Sequence, residues 1–279
     1  MSRSLLFIPG HRENMLSKAG KSQTDTVIFD LEDSVPMAEK NNGRATLVKF
    51  LREFDAVDKE VIIRVNEDKT IMSSDIEATL ATRNVDGFMI PKATVESVRW
   101  VDSMLECMDA ENIFLVPMVE SPLGLINTYK IASCSKRVKG MLFGAEDYTA
   151  EMGIKRTKSS EEVRVARNLF AIACRAADVE AYDTPYVDTK DGVGLIADSE
   201  YGKSIGLTGR TAIHPKQIDA INSVYMPSDE EVLWAERVVQ SNEEAKTKGL
   251  GAFSLDGQMI DLPVVIRAKK TLDQINRSK

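Results

Sequence analysis

Eight short apolar runs recur along the chain, each followed by a polar stretch of helical character, and this alternation limits the fold more than any other feature of the sequence. The runs occupy residues 5–8, 26–31, 61–65, 87–90, 113–119, 140–143, 180–183 and 211–213. Each has strand length, and the spacing leaves room for a helix between one and the next. Residues 94–109 carry Val95, Val98, Val101, Met104 and Leu105 at intervals that mark one face of a helix. Residues 161–177 form a second helix candidate, with Ser159-Ser160-Glu161-Glu162 as its capping box. Strands alternating with helices make a parallel sheet. Eight such units in roughly 250 residues predict an α/β (β/α)8 TIM barrel, with a doubly wound open sheet as the alternative.

The barrel is expected to span residues 1–225. Beyond it, Pro227-Ser228-Asp229-Glu230-Glu231 starts a helix with Ser228 as N-cap, expected to run to about Lys248, and Gly249-Leu250-Gly251 ends it. Asp256-Gly257 reads as a hairpin turn, and a last helix begins near Pro263. Residues 226–279 are thus a short C-terminal extension of helix and hairpin. It is too small to be an independent domain and is expected to pack on its own barrel or on a neighbouring subunit.

Several function classes are excluded. Pro9-Gly10 after the first strand is not a dinucleotide-binding GxGxxG, and no GxxxxGK[ST] occurs. A net charge of -7 argues against nucleic acid as a partner. No apolar run approaches the roughly 20 residues of a membrane span, and the N-terminal apolar stretch is too short for a signal peptide. Cys107, Cys134 and Cys174 form neither a CxxC nor a disulfide framework. They read as buried small residues in a cytoplasmic protein. The only histidines, His11 and His214, exclude a His-rich zinc site, so a catalytic metal would rest on carboxylates and would be Mg2+ or Mn2+.

Barrel chemistry sits at the C-terminal ends of the strands. Those positions here hold Asp30, Glu32 and Asp33, then Arg64 and Asn66, Lys92, Glu120, Glu146 and Asp147, Asp183, and His214. Converging acids repel one another, and a divalent cation together with Arg64 would relieve that repulsion. Glu120 and Asp147 are the candidate metal ligands, with Asp30, Glu32 and Asp33 holding metal-bound waters or orienting Arg64. Arg64 offers a planar fork for a substrate carboxylate. Each acid has a structural alternative as a helix cap or ion-pair partner, Asp33 above all. Lys92 reads as a partner of the acid cluster rather than a Schiff-base nucleophile. His214, preceding Pro215, reads equally as a structural hydrogen-bonding group. His11 and Arg12, and the basic run 155–158, could meet phosphate or simply face water.

Taken in order, Arg3-Ser4-Leu5-Leu6-Phe7-Ile8-Pro9-Gly10, Val27-Ile28-Phe29-Asp30-Leu31-Glu32-Asp33-Ser34-Val35, Arg64-Val65-Asn66, Ile90-Pro91-Lys92, Val119-Glu120-Ser121-Pro122, Phe143-Gly144-Ala145-Glu146-Asp147, Ala212-Ile213-His214-Pro215-Lys216-Gln217-Ile218 and Gly257-Gln258-Met259-Ile260-Asp261 resemble the citrate lyase β-subunit-like family, within the wider HpcH/HpaI aldolase and malyl-CoA lyase group. The resemblance implies a TIM barrel, Mg2+, a CoA or acyl-carrier thioester substrate, and a homotrimer. It implies a substrate-binding role for Arg64, metal binding by Glu120 and Asp147 with Glu120 also at the substrate, and a catalytic role for Asp261. Read from the residues alone, Asp261 is the N-cap of the helix near Pro263. The implied activity is cleavage of citramalyl-CoA or malyl-CoA to acetyl-CoA and a keto acid. The alternatives are a citrate lyase β subunit acting on a citryl-acyl-carrier protein, or a CoA-independent keto-acid aldolase.

Overall fold

The structure is a computed structural model that describes residues 2–56, 58–247 and 249–277. Eight strands, β1 Ser4–Pro9, β2 Thr26–Asp30, β3 Glu60–Arg64, β4 Gly87–Ile90, β5 Phe114–Val119, β6 Gly140–Phe143, β7 Glu180–Asp183 and β8 Gly209–Ala212, pair in parallel in sequence order. β8 returns to β1 with Ser4 opposite Arg210, so the sheet is a closed barrel and the open-sheet alternative falls. The longer helices that alternate with the strands are Lys40–Leu51, Lys69–Leu80, Val95–Cys107, Arg164–Ala176, Gly192–Ser204 and Ile218–Tyr225.

Two buried apolar clusters follow from the period of two in each strand. Leu5, Ile28, Ile62, Met89, Met118 and Leu142 belong to the cluster that fills the barrel interior. Their neighbours Leu6, Val27, Phe29, Ile63, Phe88 and Val119 belong to the larger one between sheet and helices. The expected helix at 94–109 forms as Val95–Cys107, with Thr94 and Ser97 completing a capping box.

Three expectations are corrected. The capping box at 159–162 does not form: Ser160 is left-handed (φ 56°), its side chain caps nothing, and a single 3-10 turn Glu161–Val163 leads into Arg164–Ala176. Glu162 instead accepts hydrogen bonds from the Thr157 amide (2.9 Å) and from Arg156 (2.6 Å). β8 begins at Gly209 rather than at residue 211, because Arg210 lies fully buried inside a strand. Of the cysteines only Cys174 is buried, and Cys107 is exposed.

Asp183 follows the outward parity of Ala181, a member of the sheet-to-helix cluster. It therefore meets Arg167 on the helix Arg164–Ala176 and Arg210 of β8 (3.3 Å). Asp198, on the helix Gly192–Ser204, closes the network against Arg167 (2.8 Å) and Arg210 (2.5 Å). Two cations and two anions cancel here, which is the condition under which charges tolerate burial.

The chain divides into two compact units, Met1–Tyr225 and Met226–Lys279. In the second, the Ser228 and Glu231 capping box opens the helix Asp229–Thr247. Lys248, its expected last residue, lies outside the described residues. Asp256 (φ 52°) and Gly257 (φ 79°) turn the hairpin Phe253–Leu255/Gln258–Ile260, and Pro263 stands in the first turn of Leu262–Arg277. Ala235, Val238, Ile260, Val265 and Ala268 form this unit's own small core. Among the described residues no helix is long and apolar enough to cross a membrane.

Removing one carboxylate from the Arg167–Asp183–Asp198–Arg210 network leaves a buried guanidinium uncompensated. Asp183→Ala is expected to lower unfolding free energy by about 3 kcal/mol or more, read as a lower urea midpoint at unchanged slope; a midpoint like wild type would refute this account of the network.

Candidate active site

The same parity that fills the barrel interior also places the groups at its mouth. Asp30 follows Ile28, Arg64 follows Ile62 and Glu120 follows Met118, two residues further along each strand direction. Phe7, above Leu5, packs on the interior cluster, and the Arg64 guanidinium lies over its ring at 5.1 Å.

Arg64 is fixed on several sides. Its Nε and Nη2 each donate to Asp30 across 2.7 Å, a bidentate fork. Its Nη1 lies 2.9 Å from Glu32 and 3.2 Å from the exposed Asp33. Asp30 also accepts the backbone N–H groups of Glu32 (2.8 Å) and Ser34 (3.1 Å). Burial acts to raise the Asp30 pKa, but the bonds from Arg64 outweigh it and hold the carboxyl below its ordinary value. Asp30 thus orients Arg64, one of the two roles expected for it, and Asp33 joins the ion network rather than capping a helix.

The loop after β2 is pinned by residues that sequence reasoning passed over. Lys40 is buried, and its ammonium donates to the carbonyls of Leu31 (3.0 Å) and Glu32 (2.6 Å). Desolvation lowers its pKa. Asn66 also donates to the Leu31 carbonyl (2.9 Å) and is held by buried Asp75 (2.7 Å). Asp75 pairs in turn with Arg44 (2.7 Å). A lysine opening a helix ordinarily signals solvent, so only its proximity to the acid-rich loop could have marked Lys40.

Glu120 occupies a narrow slot. The Lys92 backbone N–H donates to its Oε2 across 2.8 Å. On its other side is Gly144, where an added Cβ would stand 2.5 Å from the Glu120 Cγ, so only glycine leaves room for the carboxylate. Burial, with the charges of Asp147 and Asp33 against that of Arg64, pushes the Glu120 pKa up to about 7. Burial raises Glu32 to about 8, Arg64 opposing and Asp33, Glu120 and Asp30 adding to the rise. Glu32 Oε2 is buried and, although within ion-pair distance of Arg64, makes no directed hydrogen bond. Asp147 is half-buried in the first turn of the helix Ala145–Glu151, near enough for its charge to act on both Glu120 and Lys92.

Asp30, Glu32, Asp33, Glu120 and Asp147 therefore share one mouth, where Arg64 pairs with the first three. Lys92 does not redress the balance through a direct bond: its ammonium pairs with Glu67 (3.1 Å) at the surface. That pairing raises the Lys92 pKa, the opposite of what a Schiff-base lysine needs. The orphaned Glu32 oxygen, the raised Glu120 and the all-oxygen donor set suit a hard divalent cation. Among the described residues no three Asp, Glu, His or Cys side chains form a closed metal cage. Two carboxylates with open positions match Mg2+, which keeps water and substrate oxygens in its shell.

Other expected residues lie elsewhere. Asp183 belongs to the buried outer network and not to the mouth. His214 accepts the Lys216 N–H at Nδ1 (3.1 Å) and caps the 3-10 turn Pro215–Gln217, the structural alternative. In the basic run, Arg156 pairs with Glu162 (2.6 Å) and Glu146 (3.3 Å) and Lys158 with Asp188 (2.5 Å). Asp261, in the second unit, accepts the Val264 N–H (3.4 Å) at the start of Leu262–Arg277, an N-cap. A cavity of about 380 Å3 at the N-terminal ends of β5 and β6 is lined by Asp102, Glu106, Lys136, Arg137 and Lys139 among others. Arg137 there is bonded to Asp102 (2.8 Å) and to main-chain carbonyls, so the chemistry is assigned to the opposite end of the barrel.

A closed parallel barrel with an acid-rich, arginine-centred mouth defines a class of barrel enzymes, and comparison narrows it. Residues 3–215 match the family model described as HpcH/HpaI aldolase/citrate lyase. The citrate lyase subunit beta of Leuconostoc mesenteroides subsp. cremoris is 34% identical over 286 residues, covering 99% of this chain and 94% of that protein. The mitochondrial citramalyl-CoA lyase of Homo sapiens is 31% identical, covering 97% of this chain and 84% of that protein. The crystal structure of CitE from Mycobacterium tuberculosis in complex with magnesium, acetoacetate and coenzyme A superposes with a TM-score of 0.79 at 28% identity, covering 98% of each chain. The chain belongs to the HpcH/HpaI aldolase/citrate lyase family.

The raised carboxyls fix a pH dependence for the metal-free protein. An acid whose folded pKa exceeds its unfolded value binds protons better when folded, so its effect on stability is lost as pH rises through the folded pKa. For Glu120 and Glu32 that window runs from the ordinary carboxyl value of 4.5 up to about 7 and about 8. Without metal, the melting temperature is expected to fall from pH 5.5 to pH 8.5, and to fall less in Glu32→Gln. A slope unchanged by that substitution would show that Glu32 is not the group responsible.

Proposed function

We propose that the chain is a Mg2+-dependent carbon–carbon lyase that cleaves a β-hydroxyacyl-CoA, citramalyl-CoA or malyl-CoA, to acetyl-CoA and a keto acid. The observation that carries this reading is the placement of Asp147 near enough for its charge to act on buried Glu120, at a mouth where Asp30 holds Arg64 rigid. Glu120 and Asp147 would hold the ion, which when bound supplies Lewis-acid charge at the hydroxy-acid end of the substrate. Arg64 contributes a rigid cation; its Nη1 is held by Glu32 and by the exposed Asp33, so a substrate carboxylate would reach it in place of Asp33. The carbinol hydroxyl gives up its proton to solvent, its oxygen electrons form the keto C=O, and the bond between the carbinol carbon and the thioester α-carbon breaks. Its electron pair leaves on the α-carbon, which is then protonated to give acetyl-CoA, while the carbinol carbon becomes the keto carbon. Asp261 is proposed for that proton transfer on the family resemblance, alongside its role as a helix cap.

Release of acetyl-CoA from (S)-citramalyl-CoA and (S)-malyl-CoA, with Mg2+ or with EDTA, tests the proposal. Activity is expected to require the metal and to fall at least about 1,000-fold in Asp147→Ala. No release from either thioester by folded, metal-loaded protein would favour the second reading, a citrate lyase β subunit acting on a carrier-bound citryl thioester. That reading is supported by the 34% identity to the Leuconostoc subunit. Turnover of a free keto-acid aldol would favour the CoA-independent aldolase.

We further propose a cytoplasmic homotrimer, the number of subunits resting on the family resemblance. An extended apolar surface supports self-association: Leu123 and Ile126 on the helix Pro122–Ile126, and Val165, Leu169 and Ile172 on the adjoining Arg164–Ala176, are all exposed. Light scattering on Leu169→Glu/Ile172→Glu is expected to show a smaller particle than the wild type; an unchanged mass would remove this face from the interface.

A further inference from the structure

Lys92 is the residue at the mouth whose backbone is strained. Its φ is 42°, in the left-handed region that side chains other than Gly and Asn seldom adopt. The chain has little choice there. Ile90 is paired with Pro117 in the barrel, and the Ala93 N–H donates to the Met118 carbonyl (3.0 Å), so the backbone is tied to β5 on both sides of residue 92. Thr94 then caps the next helix. The turned peptide directs the Lys92 N–H at Glu120 Oε2 (2.8 Å) and holds that carboxylate against Gly144. The side chain of Lys92 is exposed and spends its direct bond on Glu67, a surface ion pair of small worth. Strain kept at a residue whose N–H bonds Glu120 while its ammonium bonds Glu67 instead points to the main chain as the working part.

We propose that residue 92 is a positioning residue that acts through its backbone: its left-handed conformation aims the amide at Glu120 and fixes the carboxylate in the orientation used for the divalent cation. The inference rests on the reading of Glu120 as a metal ligand. It assigns no direct role to the ammonium, which lies near Asp147 and, if anything, competes with a cation there.

The test is the Mg2+ dissociation constant by titration calorimetry, with the Mg2+-induced rise in melting temperature, on Lys92→Gly, Lys92→Asn, Lys92→Ala, Lys92→Val and, separately, Glu120→Gln. The four Lys92 variants all lack the ammonium and differ in tolerance of the left-handed region. Gly and Asn are expected to bind Mg2+ as tightly as wild type or more tightly, Ala, whose left-handed penalty resembles that of Lys, within about threefold of wild type and behind Gly, and Val about tenfold more weakly or worse. Equal losses in all four would overturn the proposal in favour of the ammonium. A Val variant that loses melting temperature but keeps its Mg2+ affinity would overturn it in favour of strain without function. If Val does not fold, the order of Gly, Asn and Ala decides the matter. Wild-type affinity in Glu120→Gln would instead remove Glu120 from the metal site, a failure of the underlying reading that the Lys92 series alone cannot mimic.

Discussion

Everything at the mouth depends on one constraint, that a closed parallel barrel turns alternate residues of every strand inward. Leu5, Ile28, Ile62, Met118 and their partners fill the middle of the interior. On the inward parity, Thr26 and Glu60 bond to one another and to Ser2 at the start of the strands, and the charged groups of the mouth stand at the other end, where the strands stop and the loops begin. Asp30, Arg64 and Glu120 occupy those ends on β2, β3 and β5, so their convergence is a consequence of closure and needs no special loop. The strand ends also make the mouth rigid. Arg64 is held by a two-pronged bond to Asp30, which is itself fixed by backbone amides of its own loop.

That rigidity makes the electrostatics consequential. Five carboxyls meet at the mouth, Arg64 pairs with three of them, and two nearby lysines are committed elsewhere: Lys40 to the carbonyls of Leu31 and Glu32, Lys92 to Glu67. Burial then drives Glu120 and Glu32 toward neutrality, because their charged forms have lost water without gaining enough positive partners. A divalent cation is the physical complement of such a deficit. It restores the charge, it matches oxygen donors, and it leaves coordination positions for a substrate.

The sequence made the barrel legible because the apolar runs and the helical spacing agree over its full length. It also brought the mouth acids and Arg64 forward, since strand ends can be counted. What it did not reveal depends on tertiary contact. β8 was hard to delimit because Arg210 sits in its middle, and an arginine reads as surface until Asp183 and Asp198 are seen to neutralise it. Asp183 looked like a mouth residue, yet its parity matches Ala181, which faces the helices; counting by two from that alanine separates it from Asp30. Lys40 and Gly144 carry no local signal. Their roles arise from groups well separated in sequence, the lysine closing a loop and the glycine leaving space for Glu120. The box at 159–162 fails because Glu162 accepts from Thr157 and Arg156 instead, while the Ser159 hydroxyl meets that of Thr157.

The two charged clusters of the barrel show why residue type alone does not mark a site. Both are built from arginines and carboxylates, both are buried, and both bridge neighbouring strands. In the outer network two arginines meet two aspartates, and burial is compensated without any further partner. At the mouth the sum does not close, one carboxylate oxygen is left without a hydrogen bond, and two carboxyls hold their protons toward neutral pH. A divalent cation bound there would complete that imbalance, and perturbed carboxyls of this kind mark functional sites. The distinction between structural and functional charge here is therefore one of neutrality, and it selects the C-terminal end of the barrel over the buried network near its wall.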